Sequence, residues 1–324
     1  MTKEENSSTI LKIINILIII FLISLILILS YYIYINFPRE PELLKIINNP
    51  SFEPVINSEV KQFYPNMKFN HNKISYFIDI SCDEERKSKM GKAFVELSKK
   101  VSEITFYSNE LNPDIEITCS KNNEVNIDKK HFVAGEGGAK EIIQTGNYNV
   151  ITKGIILLYE NTKIRSKNCD YPNIELHELL HVLGFDHSES KKSIMYTYIE
   201  SCDQVLDNSI INQLKELYSK ENLPDLYFEN IEVTKKGIYL DFILTTKNSG
   251  SIKADNIILT IMDDDIIIHE KNLGDFDFGA GITLKTKDLK LERLNPDKIN
   301  FILDKENKIN ELNEENNIIE IKLD

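Results

Sequence analysis

The pattern of hydrophobic positions divides this chain into three regions. An uncharged apolar run covers residues 13–35, mixed strand and helix periodicities occupy residues 71–222, and short β-branched runs separated by turns follow from residue 223. An apolar run of this length can span a hydrocarbon core about 30 Å thick as a helix. The sequence therefore predicts a membrane helix, an α+β domain and an all-β domain, in that order.

Strand-type and helix-type patterns alternate in the middle region. A start signal at Pro172 and Asn173 predicts one helix, and another closes the region with Asp207 or Ser209 as its cap. Together the elements predict a mixed sheet beside one long helix. Strands are predicted over residues 74–80, 104–107, 115–118 and 151–159, and helices over residues 84–101, from 173 onward and over 209–218.

The C-terminal region, residues 223–324, has no convincing helix and about seven short runs that are rich in β-branched residues. Seven strands are the number expected of an immunoglobulin-like sandwich. The strands are predicted over residues 231–233, 238–244, 257–262, 266–269, 282–284, 299–303 and 318–321.

The N-terminal apolar run is interpreted as an uncleaved anchor. It is longer than the apolar part of a signal peptide, and no small-residue cleavage site follows it, although a cleaved signal peptide is the competing interpretation. Basic residues flank both ends, so the charge bias only leans toward a cytoplasmic N-terminus. The expected order is a cytoplasmic tail (1–12), a transmembrane anchor (13–35) and a stalk with five prolines (36–70).

Charge and cysteine content restrict the partners and the compartment. The formal net charge of −13 argues against nucleic acid, whose phosphates require a basic surface. The four cysteines are an even number in a chain predicted to face an oxidising compartment. We favour disulfides joining Cys82 to Cys119 and Cys169 to Cys202, although four cysteines allow three pairings and free buried thiols are the alternative.

The segment of residues 177–187, HELLHVLGFDH, has the spacing of a catalytic zinc site. His177 and His181 are neighbours on one helix face, so they can bind one ion together. His187 would point away if the helix continued, but Gly184 can adopt the left-handed conformation that ends a helix and returns the chain. Three imidazoles leave one zinc position for water, and Glu178 is placed to act as the general base.

The extended motif followed by Met195 resembles the metzincin zinc endopeptidases. Within them, FDHSESKKSIMY is most similar to the matrixins. The resemblance implies peptide-bond hydrolysis at one zinc ion held by His177, His181 and His187, with Glu178 as base and Met195 in a turn beneath the metal. It also implies an edge strand that binds extended substrate, for which we take residues 132–146, although GEGG at 135–138 equally fits a flexible turn.

The C-terminal region resembles the CARDB domain of bacterial and archaeal surface proteins. The resemblance rests on PDLYFENIEV, the NSG at 248–250 and the ending LDKENKINELNEENN. It implies a spacer or a binding module for a cell-surface ligand, without catalytic residues.

These observations predict a single-pass membrane protein with an extracellular zinc endopeptidase domain (71–222) and a CARDB-like sandwich (223–324). Its expected cofactor is one zinc ion, and its expected substrate is a peptide or protein. The alternative is a surface adhesion protein whose protease domain is inactive. Glu178 argues against that alternative, because an inactive site has no need of a base.

Overall fold

The structure is a computed structural model that describes residues 3–37, 39–46, 60–121, 133–159, 169–199 and 201–323. The first helix, α1 (Lys3–Asn36), is followed by a two-residue strand, β1 (Glu42–Leu43). Two compact bodies come after it, an α+β domain and an all-β sandwich. The predicted fold class, an α+β domain with a C-terminal sandwich and an N-terminal apolar helix, is thereby confirmed.

Helix α1 is the one helix in the described part of the chain that is long and apolar enough to cross a membrane, over Lys12–Asn36. Its apolar side chains from Ile13 to Tyr34 are exposed, and at its end Ile35 packs partly against the sandwich core. Exposed apolar surface on this scale is unfavourable in water, so the helix requires an apolar environment. Both a membrane span and a signal sequence are inserted into such an environment, and α1 has the length and composition of either.

A six-stranded sheet forms the centre of the α+β domain. The strand order is β2-β7-β5-β3-β4, in which β2 pairs with the first residues of β7 and β5 with its later residues. The sixth strand, β6, pairs with β7 along its length. Every pairing is parallel except that of β6 with β7, which is antiparallel. The strands are β2 (Met67–Phe69), β3 (Lys73–Ile78), β4 (Thr105–Ser108), β5 (Ile115–Ser120), β6 (Gly135–Gln144) and β7 (Asn149–Tyr159).

Three helices complete this domain: α2 (Glu84–Lys100), α3 (Asn173–Val182) and α4 (Asn208–Ser219). Asp83 caps α2 through its carboxylate, which accepts the Arg86 backbone N–H. The Arg86 guanidinium also lies 2.7 Å from the buried Glu175 carboxylate in the first turn of α3. A buried charge must be paired, so this contact ties α2 to the helix that carries the motif.

Two disulfides stabilise the α+β domain. Cys82 is bonded to Cys119, joining the start of α2 to β5, and Cys169 is bonded to Cys202. The second bond closes a loop that contains α3 and the following turn. Closing a loop of about 30 residues reduces the entropy of the unfolded chain and is worth about 3 kcal/mol or more.

The C-terminal sandwich consists of two four-stranded sheets, with orders β1-β8-β9-β12 and β11-β10-β13-β14. Alternate side chains of the facing strands form its core, as in β13, where Ile299, Phe301 and Leu303 are fully buried. The strands are β8 (Leu226–Lys236), β9 (Tyr239–Asn248), β10 (Ala254–Asp263), β11 (Ile266–Phe276), β12 (Gly281–Lys290), β13 (Lys298–Leu303) and β14 (Ile318–Lys322).

Parts of the segment expected to be a stalk, residues 36–70, lie instead within the two folded domains. Strand β1 pairs with β8 of the sandwich, Leu44 is buried in the sandwich core, and Ile46 forms a bridge with Ile321. At the other end of the segment, β2 pairs with β7. The alternation of exposed Leu43 and buried Leu44 is too short a pattern to identify a strand from the sequence.

Replacing Leu44 with alanine should therefore destabilise the sandwich, whereas replacing Leu43 should not. Leu44 is 8% exposed and Leu43 is 72% exposed. Truncating a buried leucine costs about 2–5 kcal/mol, and truncating an exposed one about 0.5 kcal/mol or less. Thermal unfolding of the two single variants measures this difference. Equal stabilities would show that β1 does not belong to the sandwich in solution.

Candidate metal centre

Helix α3 places two imidazoles side by side. The Nε2 atoms of His177 and His181 lie 3.0 Å apart, and both residues are buried. The Nδ1–H of His177 donates to the Ile194 carbonyl at 2.7 Å, and the Nδ1–H of His181 donates to the Phe185 carbonyl at 2.8 Å. Because a carbonyl can only accept, both Nδ1 atoms carry the proton, and both Nε2 atoms present lone pairs.

The chain reverses at Gly184, directly after α3. Gly184 has φ +93°, and its N–H donates to the His181 carbonyl at 3.0 Å. A Cβ on this residue would also lie 2.5 Å from the Cβ of Met67 in β2, so only glycine fits both the backbone conformation and the space. The turn thus ends α3 and directs the following residues, Asp186 and His187, back toward the histidines of the helix.

His187 reaches the two helix histidines after this turn. One ring nitrogen from each of His177, His181 and His187 lies within 4.8 Å of the other two. Among the described residues, this is the one group of three or more histidine, cysteine or acidic side chains with such a spacing. The side chain of His187 is 41% exposed, so the group is open to solvent on one side.

The three histidines fit a shared cation. Two unprotonated Nε2 atoms 3.0 Å apart repel one another unless a positive ion lies between them. Zinc–nitrogen bonds of about 2.0–2.1 Å in a tetrahedral arrangement imply nitrogen separations of about 3.3 Å, near the observed value. The carbonyls that fix the two ring tautomers are the outer partners that ligating histidines usually have.

Burial keeps the metal-free histidines neutral. It lowers the pKa of His177 to about 4, with a smaller contribution from His181, and burial also lowers the pKa of His181 and of His187. An unfolded histidine keeps a pKa of about 6.5. The neutral form favoured here is the form that binds metal.

The metal-free protein should therefore lose stability in acid. The contribution of His177 is fully present above about pH 6.5 and is lost as the pH falls toward about 4, because the unfolded chain then binds the proton more readily. Melting temperatures of the metal-free protein across this range should fall, and a His177→Gln variant should show a shallower fall. His269→Gln in the sandwich is the control, and an equal slope for all three proteins would contradict the assignment.

Glu178 is a residue of α3, and its side chain faces strand β6. Its side chain is buried, and a Cβ on Gly135 would lie 2.8 Å from the Glu178 Oε1 and Cγ atoms. Burial raises the pKa of Glu178 to about 8 in the metal-free chain, while a hydrogen bond from the Gly137 N–H lowers it. A nearby dication favours the carboxylate, so its pKa would be lower when metal is bound.

Met195 is fully buried and directly follows Ile194, whose carbonyl accepts the His177 Nδ1–H. The Met195 carbonyl accepts the Ser188 N–H at 2.8 Å, and the Met195 N–H donates to Ser193 Oγ at 2.9 Å. The Ser193 hydroxyl in turn donates to Asp207. Asp207 occupies the N-cap position of α4, but its side chain makes no capping hydrogen bond to the helix, and this contact joins α4 to the segment that contains Met195 instead.

Sequence reasoning missed a further segment that supports the His187 turn. The Phe63 N–H donates to the Gly184 carbonyl at 2.9 Å, and the Lys61 carbonyl accepts the Asp186 N–H at 3.0 Å. The Lys61 ammonium also lies 2.6 Å from the Asp186 carboxylate, and the Phe63 ring centroid is 5.7 Å from that of His181. These contacts join residues more than a hundred positions apart, so no local pattern indicates them.

Two other histidines in the described residues lie outside this group. His71 lies 3.0 Å from both Asp114 Oδ2 and Asn70 Oδ1, and His269 lies on β11 of the sandwich. His131 falls outside the described residues. The segment of residues 132–146, predicted to be an edge strand with a flexible turn at GEGG as the alternative, contains strand β6 from Gly135 to Gln144. Phe132 falls outside the described residues.

Two family models match successive parts of the chain. Residues 68–219 match the family model of the matrixins, and residues 223–320 match that of the CARDB domain. The predicted resemblance to both families is confirmed. No curated protein matched the chain.

Two solved structures are similar to about a third of the chain. One is the CARDB domain of a Pyrococcus furiosus protein in complex with di-metal ions, at 18% identity, covering 31% of this chain and 88% of that one, with a TM-score of 0.26. The other is a domain described as part of a cell surface protein of Methanosarcina acetivorans, at 17% identity, covering 32% and 94%, with a TM-score of 0.25.

Proposed function

We propose that this chain, which combines a matrixin-type peptidase domain with a CARDB domain, is a membrane-anchored zinc endopeptidase that acts outside the cell. The observation that carries the proposal is the pair of unprotonated Nε2 atoms of His177 and His181, 3.0 Å apart and joined by His187. Such an arrangement is unfavourable without a cation and suited to one.

His177, His181 and His187 would hold the zinc ion. When bound, zinc supplies a Lewis acid that polarises the substrate carbonyl and makes a water molecule acidic near neutral pH. Glu178 takes the proton from the attacking water and passes it to the leaving amine. Its side chain is buried against Gly135 of β6, which shields the carboxylate from bulk water.

Strand β6 is the proposed binding site for the substrate backbone. Within the described residues, β6 pairs with β7 on one side and has no strand partner on the other. An edge strand of this kind binds an extended peptide through main-chain hydrogen bonds. Because Gly135 and Gly137 of the same strand pack against Glu178, a peptide added to β6 would pass close to the proposed base.

Helix α1 and the disulfides support the proposed anchoring and location. The exposed apolar side chains of α1 support a membrane span, and two disulfides in the peptidase domain support an oxidising compartment. The peptidase and CARDB domains then lie together outside the cell. The CARDB domain is the proposed spacer or contact to a surface ligand.

Metal content and hydrolysis test the proposal together. The purified chain should carry one zinc ion, cleave an unfolded protein substrate, lose activity on chelation and recover it when zinc is restored. New amino termini in the products identify peptide-bond hydrolysis. A zinc-loaded protein that cleaves no unfolded substrate would instead support a surface adhesion protein with an inactive site.

A further inference from the structure

The turn between β6 and β7 forms a polar interface with the CARDB domain. The Thr145 hydroxyl donates to the Ser249 carbonyl at 2.7 Å, and the Asn147 side-chain amide donates to Asp225 Oδ2 at 2.6 Å. The Asn147 backbone N–H also donates to the Ser249 carbonyl at 3.3 Å. Thr145, Ser249 and Asp225 are only 5%, 0% and 1% exposed, so water cannot replace these partners without opening the interface.

Asp225 is itself held in place by its own domain. Its Oδ1 accepts the Asn316 amide at 3.1 Å, and its Oδ2 also accepts the Ser249 hydroxyl. The carboxylate therefore presents a fixed acceptor to Asn147. Hydrogen bonds to a buried charge are among the strong ones, and losing a donor there is costly.

The end of β6 also packs on the CARDB domain. A Cβ on Gly279, in the loop between β11 and β12, would lie 3.0 Å from the Gln144 carbonyl oxygen and 3.1 Å from the Ile143 Cγ2 atom. Gly279 has φ +76°, a conformation that glycine adopts most easily. Polar and steric contacts thus meet at the same end of the strand.

Pairing with β7 does not determine the position of β6 by itself. The register shifts twice in the middle of the pair, between Ala139 and Glu141 and between Glu141 and Ile142. At one end, Gly135 and Gly137 rest on Glu178, and at the other the turn enters the CARDB interface. A strand with bulges can bend, so the contacts at its two ends determine the position of its unpaired edge.

We propose that the CARDB domain is a positioning element of the peptidase, with Thr145 and Asn147 as the positioning residues that fix strand β6 for substrate. The inference rests on the proposed function, because it assumes that substrate binds along β6. It predicts that loosening the interface weakens substrate binding while the histidines and Glu178 are unchanged. The Michaelis constant should therefore respond more than the turnover number.

The test compares single and double variants of the full chain in detergent. Asn147→Asp places a second carboxylate against Asp225, and KM for an unfolded substrate should rise about tenfold while kcat stays within about twofold. Adding Asp225→Asn should restore KM, because the amide and the carboxylate have then exchanged sides. Asn230→Asp, the same change at an exposed position of the sandwich, is the control and should match the wild type.

Hydrogen exchange gives a readout that does not depend on activity. Amides of β6 should exchange faster in Asn147→Asp and return to the wild-type rate in the double variant. Thr145→Val, which removes one donor at equal volume, should show a smaller change of the same sign, and Thr145→Ser should restore the wild-type rate. Melting temperatures identify any variant that fails to fold.

The outcomes separate the two proposals. If the wild type hydrolyses substrate but Asn147→Asp keeps the wild-type KM and exchange rates, the CARDB domain does not position β6. A double variant that folds but restores neither readout would overturn the assigned pairing. If the wild type hydrolyses nothing, the proposed function fails, and exchange in β6 still decides whether the interface holds the strand.

Discussion

Replacing Glu178 with glutamine should reduce peptide hydrolysis by about 10²- to 10⁴-fold, the usual contribution of a general base, and leave the zinc content unchanged. Glutamine has the shape of the protonated acid, so it fills the space between α3 and β6 without disturbing the histidines. It cannot accept the proton of the attacking water. The measurement is kcat/KM on an unfolded substrate beside the zinc content of the same sample.

Glu189→Gln is the matched control. Glu189 is two residues beyond His187 but exposed, and the same chemical change there should leave hydrolysis within about twofold of the wild type. Equal activities of the two variants would remove Glu178 from the mechanism. A Glu178→Gln variant that has lost its zinc would show instead that Glu178 supports the metal site.

The metal-free protein offers a second readout of the same substitution. Burial raises the pKa of Glu178 to about 8, so the folded chain holds a proton that the unfolded chain releases near pH 4.5. The stability that this proton provides is complete below about pH 4.5 and is lost as the pH rises through about 8. Metal-free Glu178→Gln should lack this part of the pH dependence, because its amide does not titrate.

Local interactions explain why much of the metal centre could be predicted from sequence. Neighbouring histidines on one helix face and a glycine that ends the helix depend on residues within one short segment. The proximity of His177, His181 and His187 in the structure follows from those local features. Their role as zinc ligands, like the role of Glu178, stays a prediction until metal binding and hydrolysis are measured.

The remaining contacts join distant parts of the chain. Phe63 meets Gly184, β1 joins β8, and Asn147 meets Asp225, and in each case a single residue or a two-residue strand makes the contact. A hydrophobic period needs several turns or strand residues before it can be recognised. The prolines in the segment of residues 36–70 predict a stalk. That prediction misses β1 and β2, because composition does not reveal which few residues pair with a domain far along the chain.

Replacing Gly137 with alanine should cost about 10²-fold in kcat/KM, since misplacing catalytic groups by about 1 Å can have an effect of this size. A Cβ on Gly137 would lie 2.2 Å from the Glu178 carbonyl oxygen and 2.8 Å from its Cα. These atoms belong to the backbone of α3, so no side-chain rotation can relieve the contact. Either β6 or α3 must move, and both carry proposed parts of the site.

Gly138→Ala separates this effect from a general loss of backbone freedom. Gly138 is the next residue of the same strand, and a Cβ there would have no atom within 4 Å. We expect Gly138→Ala to keep hydrolysis within about twofold of the wild type and its melting temperature close to it. If GEGG served as a flexible turn, both substitutions would reduce activity alike. A close approach of β6 to Glu178 requires glycine at position 137 and not at 138. Unequal effects would therefore support a packed strand, rather than a flexible turn, against Glu178.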